Sequence, residues 1–315
     1  MPSATEMVCF VGAQEQLVGR SHECDYPPAI LDRPVVSRAR LSMDPDSLAI
    51  DRSIRSMVAE TLSIYHLDLD ALQELSFDLV LTQDLCKVCA LSFDDVEQAL
   101  RDLRRSEVKI VRLHPTRLQD IFQDLSRIAE AAGRQKEGQA TLADLKTRMA
   151  RIEAKVKEIE LRPKVVTIEW LEPTLLGGTW MPEMIQLAGG IPLGAEAGQL
   201  SPQLSHAELA DLQPDVLVLK PCGFSLQRSR KELADLPRLL PWDRWPAVAA
   251  GRVYLADGNA YFNRSGPRIL DSLEILAACL HPESFPEFRH SYADSVVRLD
   301  ADLQEYRFDD DFAWS

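Results

Sequence analysis

Two stretches of this chain carry the same pattern: Leu72-Gln73-Glu74-Leu75-Ser76-Phe77-Asp78-Leu79-Val80-Leu81-Thr82 and Leu209-Ala210-Asp211-Leu212-Gln213-Pro214-Asp215-Val216-Leu217-Val218-Leu219. Each reads as the end of a helix, a turn, an aspartate and a short apolar strand. Such apolar runs are typical of a parallel sheet that helices cover on both faces. The repeat therefore predicts an α/β fold of two doubly wound lobes. A chance likeness between two common βα units is the alternative.

A long amphipathic helix lies between the two copies. Apolar side chains recur along it at steps of three and four residues: Leu142, Leu145, Met149, Ile152, Val156 and Ile159. This stripe predicts a helix from Gln139 to Leu161, with Gly138 and Pro163 as its boundaries. At 1.5 Å per residue it is about 33 Å long, enough to bridge two lobes. A coiled-coil arm is the alternative, but the repeat is short for one.

These features predict four segments along the chain. They are an N-terminal α/β lobe over residues 1–137, a bridging helix over 138–162, a C-terminal α/β lobe over 163–282 and a peripheral acidic tail over 283–315. The first helix, from Ser3, has no strand in front of it, so we expect the N-terminal lobe to lack its first strand. Ser3 with Glu6 and Ser205 with Glu208 have the spacing of capping boxes.

The remaining elements follow from apolar periodicity and from turn residues. We predict strands at Gln16–Arg20, Leu79–Thr82, Lys109–Leu113, Lys164–Trp170, Val216–Lys220 and Val253–Ala256. We predict helices at Ser3–Val11, Ser92–Leu103, Arg117–Ala132, Pro182–Ala188, Ser205–Leu212, Arg228–Leu240 and Pro267–Leu280.

Composition and charge exclude several classes of protein. The 315 residues include 35 Lys and Arg against 49 Asp and Glu, a net charge of −14, which argues against a nucleic-acid-binding protein. No apolar run approaches the roughly 18 residues of a membrane span. The segment Met1–Gly12 lacks the features of a signal peptide, so we expect a cytoplasmic rather than a periplasmic protein with reduced thiols. Phosphate-loop, nucleophile-elbow and zinc-protease motifs are absent from the sequence, so we expect no enzyme.

The cysteines suggest a metal site. Ligands of doubly wound sheets bind beyond the carboxyl ends of the strands, and four of the six cysteines follow predicted strands there. A C-x-x-C pair is a common ligand pair for zinc or iron–sulfur clusters. The candidate metal ligands are Cys24, Cys86, Cys89, Cys222 and His22. Ordinary buried cysteines at loop bends are the alternative.

Aromatic and polar residues follow the same strands and suggest a ligand site. Loop aromatics suit a large flat ligand through stacking and apolar contact, and packing within the protein is the alternative. The candidate ligand-binding residues are Trp170, Glu172, Trp180, Asn259, Tyr261, Phe262, Asp84 and Tyr26.

Five segments make the sequence resemble a known family. They are Pro2-Ser3-Ala4-Thr5-Glu6, the loop Ser21–Pro27, Trp170-Leu171-Glu172-Pro173, Ala188-Gly189-Gly190 and Gly251-Arg252-Val253-Tyr254. Together they resemble the substrate-binding proteins of ABC importers for cobalamin and iron–siderophore complexes, most closely the cobalamin-binding branch. The resemblance implies two α/β lobes joined by one long helix, with a metal chelate held in the cleft between them. It also implies a strand before Pro2.

The resemblance implies a binding function. We expect a protein that binds a corrinoid such as cobalamin, or a related metal chelate, with an ABC permease as a possible partner and with neither a nucleic acid nor a membrane span. The alternative is a cytosolic protein whose thiols bind zinc or an iron–sulfur cluster for trafficking, sensing or redox work.

Overall fold

The computed structural model describes residues 1–40, 42, 45–59, 64–83 and 93–310. Contacts between residues divide the chain into two units. Unit 1 comprises residues 1–115, 119–145 and 265–267, and unit 2 comprises residues 116–118, 146–264 and those from 268 onward.

Unit 1 combines helices with two small sheets among its described residues. Its helices are α1 (Pro2–Phe10), α2 (Ser47–Ala59), α3 (Leu69–Glu74), α4 (Phe93–Asp102), α5 (Leu118–Ala131) and the first part of α6 (Gln135–Lys157). Its strands are β1 (Ser37–Ala39), β2 (Tyr65–Leu67), β3 (Leu79–Gln83) and β4 (Lys109–Leu113). Strands β1 and β2 pair antiparallel, whereas β3 and β4 pair parallel with Leu79 opposite Lys109.

The strand predicted at Gln16–Arg20 is wrong. Residues 14–16 form a short 3₁₀ helix, and Arg20 makes a single bridge with Val35. The three polar residues Gln14, Glu15 and Gln16 have no apolar alternation to place on a sheet face. A local turn can satisfy their backbone groups, so this stretch has little reason to extend.

Unit 2 contains one seven-stranded sheet. Its strands are β5 (Lys164–Trp170), β6 (Leu175–Leu176), β7 (Ile191–Pro192), β8 (Val216–Leu219), β9 (Val253–Ala256), β10 (Val296–Leu299) and β11 (Glu305–Arg307). The order is β11-β10-β9-β8-β5-β6, with β7 also beside β5. Strands β5, β8 and β9 are parallel, and β10 runs antiparallel to β9. Its helices are α7 (Met181–Leu187), α8 (His206–Leu212), α9 (Leu226–Arg230), α10 (Leu236–Leu239), α11 (Pro246–Ala249), α12 (Ile269–Leu280) and α13 (Pro286–Ser291).

Most of the predicted elements are confirmed. Strands β4, β5 and β9 have the predicted bounds. All four residues of β9 and the four central residues of β5 are buried, whereas β4 buries Val111 and Leu113 and exposes Lys109 and Arg112. The helix predicted at Arg228–Leu240 is instead broken into α9, a 3₁₀ turn over 233–235 and α10. Pro237 has no amide to donate to a continuous helix, and it lies in the first turn of α10, where that amide is not needed.

One of the two predicted capping boxes is confirmed. The Ser205 hydroxyl accepts from the Glu208 amide, and the Glu208 side chain accepts from the Ser205 amide. The prediction for Ser3 and Glu6 is wrong. Helix α1 begins at Pro2, so both residues lie within the helix, and their side chains are buried in the protein.

The long helix is confirmed, but it begins and ends four residues earlier than predicted, at Gln135 and Lys157 instead of Gln139 and Leu161. Helix α6 begins at Gln135, so Gly138 lies inside it. A Cβ on Gly138 would come within 2.4 Å of the Ala129 Cβ on α5. Glycine is therefore needed here for the close approach of two helices, not as a helix boundary. The division between units 1 and 2 falls within α6, after Leu145. The predicted segment boundaries at 137 and 162 stay predictions.

Residues 283–310 differ from the peripheral tail that the sequence predicts. They form α13, β10 and β11, and the two strands extend the sheet of unit 2. Val296 and Leu299 of β10 are fully buried, and Phe308 packs edge-on against Tyr254. The prediction followed the acidic composition of this region as a whole. It missed the four-residue run Val296-Val297-Arg298-Leu299, which is apolar at three positions.

Candidate functional site

The carboxyl end of β5 presents a partly exposed tryptophan. Trp170 is the last residue of β5, and its Nε1 donates to the Glu172 carbonyl oxygen at 3.1 Å. Its ring packs at a tilt against the buried Phe224 ring, with 5.2 Å between centroids. Phe224 follows β8, and its carbonyl accepts from the Asn259 amide after β9. The ends of three parallel strands thus hold Trp170 in place.

A polar network, absent from the predicted site, joins the same strand ends. The Lys220 side chain is fully buried, and its Nζ donates to Glu169 Oε2 at 2.9 Å and to Asn263 Oδ1 at 2.7 Å. Glu169 Oε1 also accepts from the Ser201 hydroxyl at 2.6 Å. A buried ammonium is tolerated when it is paired and hydrogen-bonded. The feature of the sequence that could have predicted this network is a lysine directly after the four apolar residues of β8.

Trp180 and Phe262 lie in the core of unit 2. They are 4% and 1% exposed, and Trp180 Nε1 donates to the Phe262 carbonyl at 2.9 Å. Phe262 has a φ of 66°, and its amide donates to the Ser272 hydroxyl. Their burial favours the packing alternative for these two predicted ligand residues.

Asn259 and Tyr261 follow β9 and remain partly exposed. Asn259 Oδ1 accepts from the Arg264 guanidinium at 3.0 Å. The Tyr261 ring meets the Tyr292 ring edge-on with 5.9 Å between centroids, and burial raises the pKa of the Tyr261 hydroxyl. Tyr261 is therefore neutral at pH 7 and offers a fixed aromatic surface.

Glu172 is paired within unit 2. Its two carboxylate oxygens accept from the Arg238 guanidinium at 3.2 and 2.7 Å. This bidentate pair neutralises the Glu172 charge and fixes the loop after Trp170.

In unit 1, Cys24 is buried in a polar pocket. Its Sγ lies 3.2 Å from the Met1 amino group, 3.1 Å from the Thr5 hydroxyl and 3.2 Å from the Ser21 hydroxyl. Burial would raise the pKa of the Cys24 thiol, but the Met1 ammonium and the two hydroxyls outweigh it and lower the pKa. These contacts favour the alternative of an ordinary buried cysteine for Cys24.

His22 and Tyr26 lie in the same loop as Cys24 and are half-buried. His22 Nδ1 lies 3.2 Å from the Ser37 hydroxyl, and the imidazole packs against the Tyr65 ring. Burial lowers the pKa of His22, so its imidazole is neutral at pH 7.

The predicted metal site remains a prediction. Cys86, Cys89 and Asp84 lie outside the described residues, Cys24 belongs to unit 1 and Cys222 belongs to unit 2. Within the described part of the chain, no group of three or more His, Cys, Asp or Glu side chains is placed to hold a metal ion. No helix there is long and apolar enough to cross a membrane.

Comparisons with known proteins agree with this architecture. The chain belongs to the periplasmic binding protein family, whose model matches residues 2–260. It is 23% identical over 295 residues to the uncharacterized ABC transporter substrate-binding lipoprotein YvrC of Bacillus subtilis (strain 168), covering 91% of this chain and 80% of that protein. It is 22% identical over 281 residues to a vitamin B12-binding protein of Photorhabdus laumondii, covering 89% and 86%.

A solved structure shares the fold. The periplasmic heme-binding protein RhuT from Roseiflexus sp. RS-1 in apo form superposes with a TM-score of 0.66 at 20% identity, covering 90% of this chain and 96% of that one. The predicted α/β fold class and the resemblance to substrate-binding proteins of ABC importers are confirmed. The chain is thus a member of a family of binding proteins.

Proposed function

We propose that this protein binds a corrinoid or a related flat metal chelate through the loops at the carboxyl ends of β5, β8 and β9. The observation that carries the proposal is Trp170, a partly exposed aromatic ring that Phe224 and the Glu172 carbonyl hold in one orientation. A fixed ring loses little conformational freedom when a flat ligand stacks on it.

The relatives support this class of ligand. One is named a vitamin B12-binding protein and another a heme-binding protein, and both ligands are large planar rings around a metal. A ring whose nitrogens already coordinate the metal needs apolar and stacking surface from the protein, which Trp170 and Tyr261 offer. We also propose an ABC permease as a partner, since another relative is named an ABC transporter substrate-binding lipoprotein.

Titration of the purified full chain with cobalamin, and separately with haem, tests the proposal. We expect Trp170→Ala to weaken cobalamin binding at least about fivefold, since an aromatic contact contributes about 1 kcal/mol beyond its buried area. Tyr306→Ala is the matched control, because Tyr306 is an exposed aromatic on β11, at the other end of the sheet. Calorimetry that detects neither chelate would contradict the proposal.

Metal analysis of the same purified protein tests the alternative in which the thiols bind a metal. Metal analysis after anaerobic purification would support that alternative if iron or zinc were bound and then lost in Cys86→Ser and Cys89→Ser. Cobalamin affinity that is unchanged in both variants would instead support a chelate site independent of the thiols.

A further inference from the structure

Lys220 connects the loops that carry the proposed chelate site. It directly follows β8, its side chain is fully buried, and its Nζ donates to Glu169 in β5 and to Asn263 after β9. The same asparagine donates from Nδ2 to the Lys220 carbonyl at 3.0 Å and to the Gly258 carbonyl at 2.8 Å. Since β5, β8 and β9 are parallel neighbours, one lysine joins the carboxyl ends of three strands.

The network extends to the loop after β6. The Ser201 hydroxyl donates to Glu169 Oε1 at 2.6 Å and accepts from the Gly178 amide at 3.3 Å. The backbones at the strand ends also approach one another closely. A Cβ on Gly258 would lie 2.1 Å from the Pro221 carbonyl oxygen, so only glycine fits there. These loops are thus in backbone contact, and the network fixes their relative positions.

A buried ion pair is a poor means of stabilising a fold. Removing two charges from water costs free energy that their attraction repays only in part, and well-packed apolar residues in their place often stabilise equally well. Hydrogen bonds have defined directions, so a fully satisfied buried network instead specifies one geometry. Glu169 directly precedes Trp170, and Asn263 lies shortly after Tyr261. The geometry of this network therefore sets where the two aromatic rings of the proposed site lie.

We propose that Lys220 is a positioning residue of the chelate site. Being fully buried, it contacts no ligand, and it holds Trp170 and Tyr261 in the arrangement that a flat ring requires. Rings that are fixed before the ligand arrives lose little conformational freedom on binding. Chelate affinity therefore depends on Lys220 beyond its effect on stability. Because this inference rests on the function proposed above, its test includes a signal that needs no ligand.

Fluorine NMR of the full chain labelled with fluorotryptophan gives that signal. The chain has five tryptophans, and Trp170→Phe identifies the resonance of Trp170. Lys220→Met keeps an unbranched side chain and removes the ammonium. We expect this variant to displace the Trp170 resonance. We also expect it to weaken binding of cobalamin or haem about fivefold, because the ligand then has to order the two rings.

A double variant separates positioning from stability. Lys220→Met with Glu169→Met replaces the ion pair by two apolar side chains and leaves no buried charge, so we expect it to be more stable than Lys220→Met alone. We expect the Trp170 resonance to stay displaced and the chelate affinity to stay about fivefold reduced. Recovery of the resonance and of the affinity along with stability would overturn the proposal. Should Lys220→Met fail to fold, the double variant still decides.

Leu217→Ala is the matched control. Leu217 is fully buried on β8 and lies in an apolar cluster on the sheet face opposite to Lys220. The substitution destabilises unit 2 without removing a hydrogen bond of the network, so we expect an unmoved Trp170 resonance and an affinity change of less than about twofold.

Two results would overturn the proposal. They are an unmoved Trp170 resonance in Lys220→Met, and an equal displacement in Leu217→Ala. An unaltered chain that binds neither cobalamin nor haem would contradict the function proposed above. In that case the fluorine resonance would still decide whether Lys220 positions Trp170.

Discussion

The two copies of the repeated pattern end in strands with different surroundings. In unit 2, β8 lies between β5 and β9, and all four of its residues are fully buried. In unit 1, β3 pairs with β4, and among its five residues Thr82 alone is buried. The local sequences are nearly alike, so the difference in burial comes from what packs around each strand in the tertiary structure.

The units also differ in how many hydrogen-bond partners their buried charged side chains have. Lys220 in unit 2 has two hydrogen-bond partners. Asp124 on α5 of unit 1 is 4% exposed and contacts Arg127 through Oδ1, while its Oδ2 has no hydrogen-bond partner within the described part of the chain. Burial raises the pKa of Asp124 to about 6, although Arg127 opposes the shift.

The largest expected effect comes from truncating one leucine in each of the two strands. Leu217→Ala in β8 should lower the free energy of unfolding by about 4 kcal/mol, and Leu81→Ala in β3 by about 2 kcal/mol, because the β3 side chain is already partly exposed. Urea unfolding followed by circular dichroism measures both losses. Tryptophan fluorescence adds a signal from unit 2, which holds Trp170, Trp180, Trp242 and Trp245. Equal losses would remove the distinction between the strands.

The second effect tests the polar network of unit 2. Lys220→Met leaves Glu169 without its buried partner and should cost about 3 kcal/mol, at the lower end for a broken buried pair because Glu169 is 25% exposed. Thermal unfolding measures the loss. Lys231→Met removes an exposed lysine of the same unit and should change stability by less than about 0.5 kcal/mol. A similar small change for both variants would show that the network contributes little.

The smallest effect tests the buried carboxyl of unit 1. The folded-state pKa of Asp124 is raised, so its contribution to stability is present at low pH and is lost as the pH rises through about 6. Asp124→Asn removes this loss and should raise the free energy of unfolding by about 1–2 kcal/mol at pH 8 and by much less at pH 4. Urea titrations at the two pH values measure the difference. A variant that is less stable at pH 8 would indicate that the ion pair with Arg127 outweighs the burial of the charge.

Sequence reasoning predicted the fold better than the site. The bounds of β5 and β9 follow from local apolar runs, those of β4 follow from three apolar residues within five, and the stripe on α6 follows from spacing within one helix. Gly138 was misread as a boundary because its role depends on Ala129, which belongs to another helix. The strand β10 was missed because its four residues lie in an acidic region.

The sequence predicted which loops carry the candidate site better than it predicted which side chains in those loops are exposed. Trp170 and Trp180 are both loop aromatics in the sequence, yet the first is partly exposed and the second is buried. Their exposure depends on Phe224 and Phe262, which follow different strands. Local spacing carries no information about such partners.

The sequence by itself determined the α/β class, the order of most elements and the long helix, because apolar periodicity records which face of each element is buried. The tertiary structure alone decided that Lys220 joins Glu169 and Asn263 and that residues 283–310 complete the sheet of unit 2. The physical reason is the same in each case. Pairing of strand edges and of buried charges depends on groups that are distant in the chain, and only folding brings them within hydrogen-bonding distance.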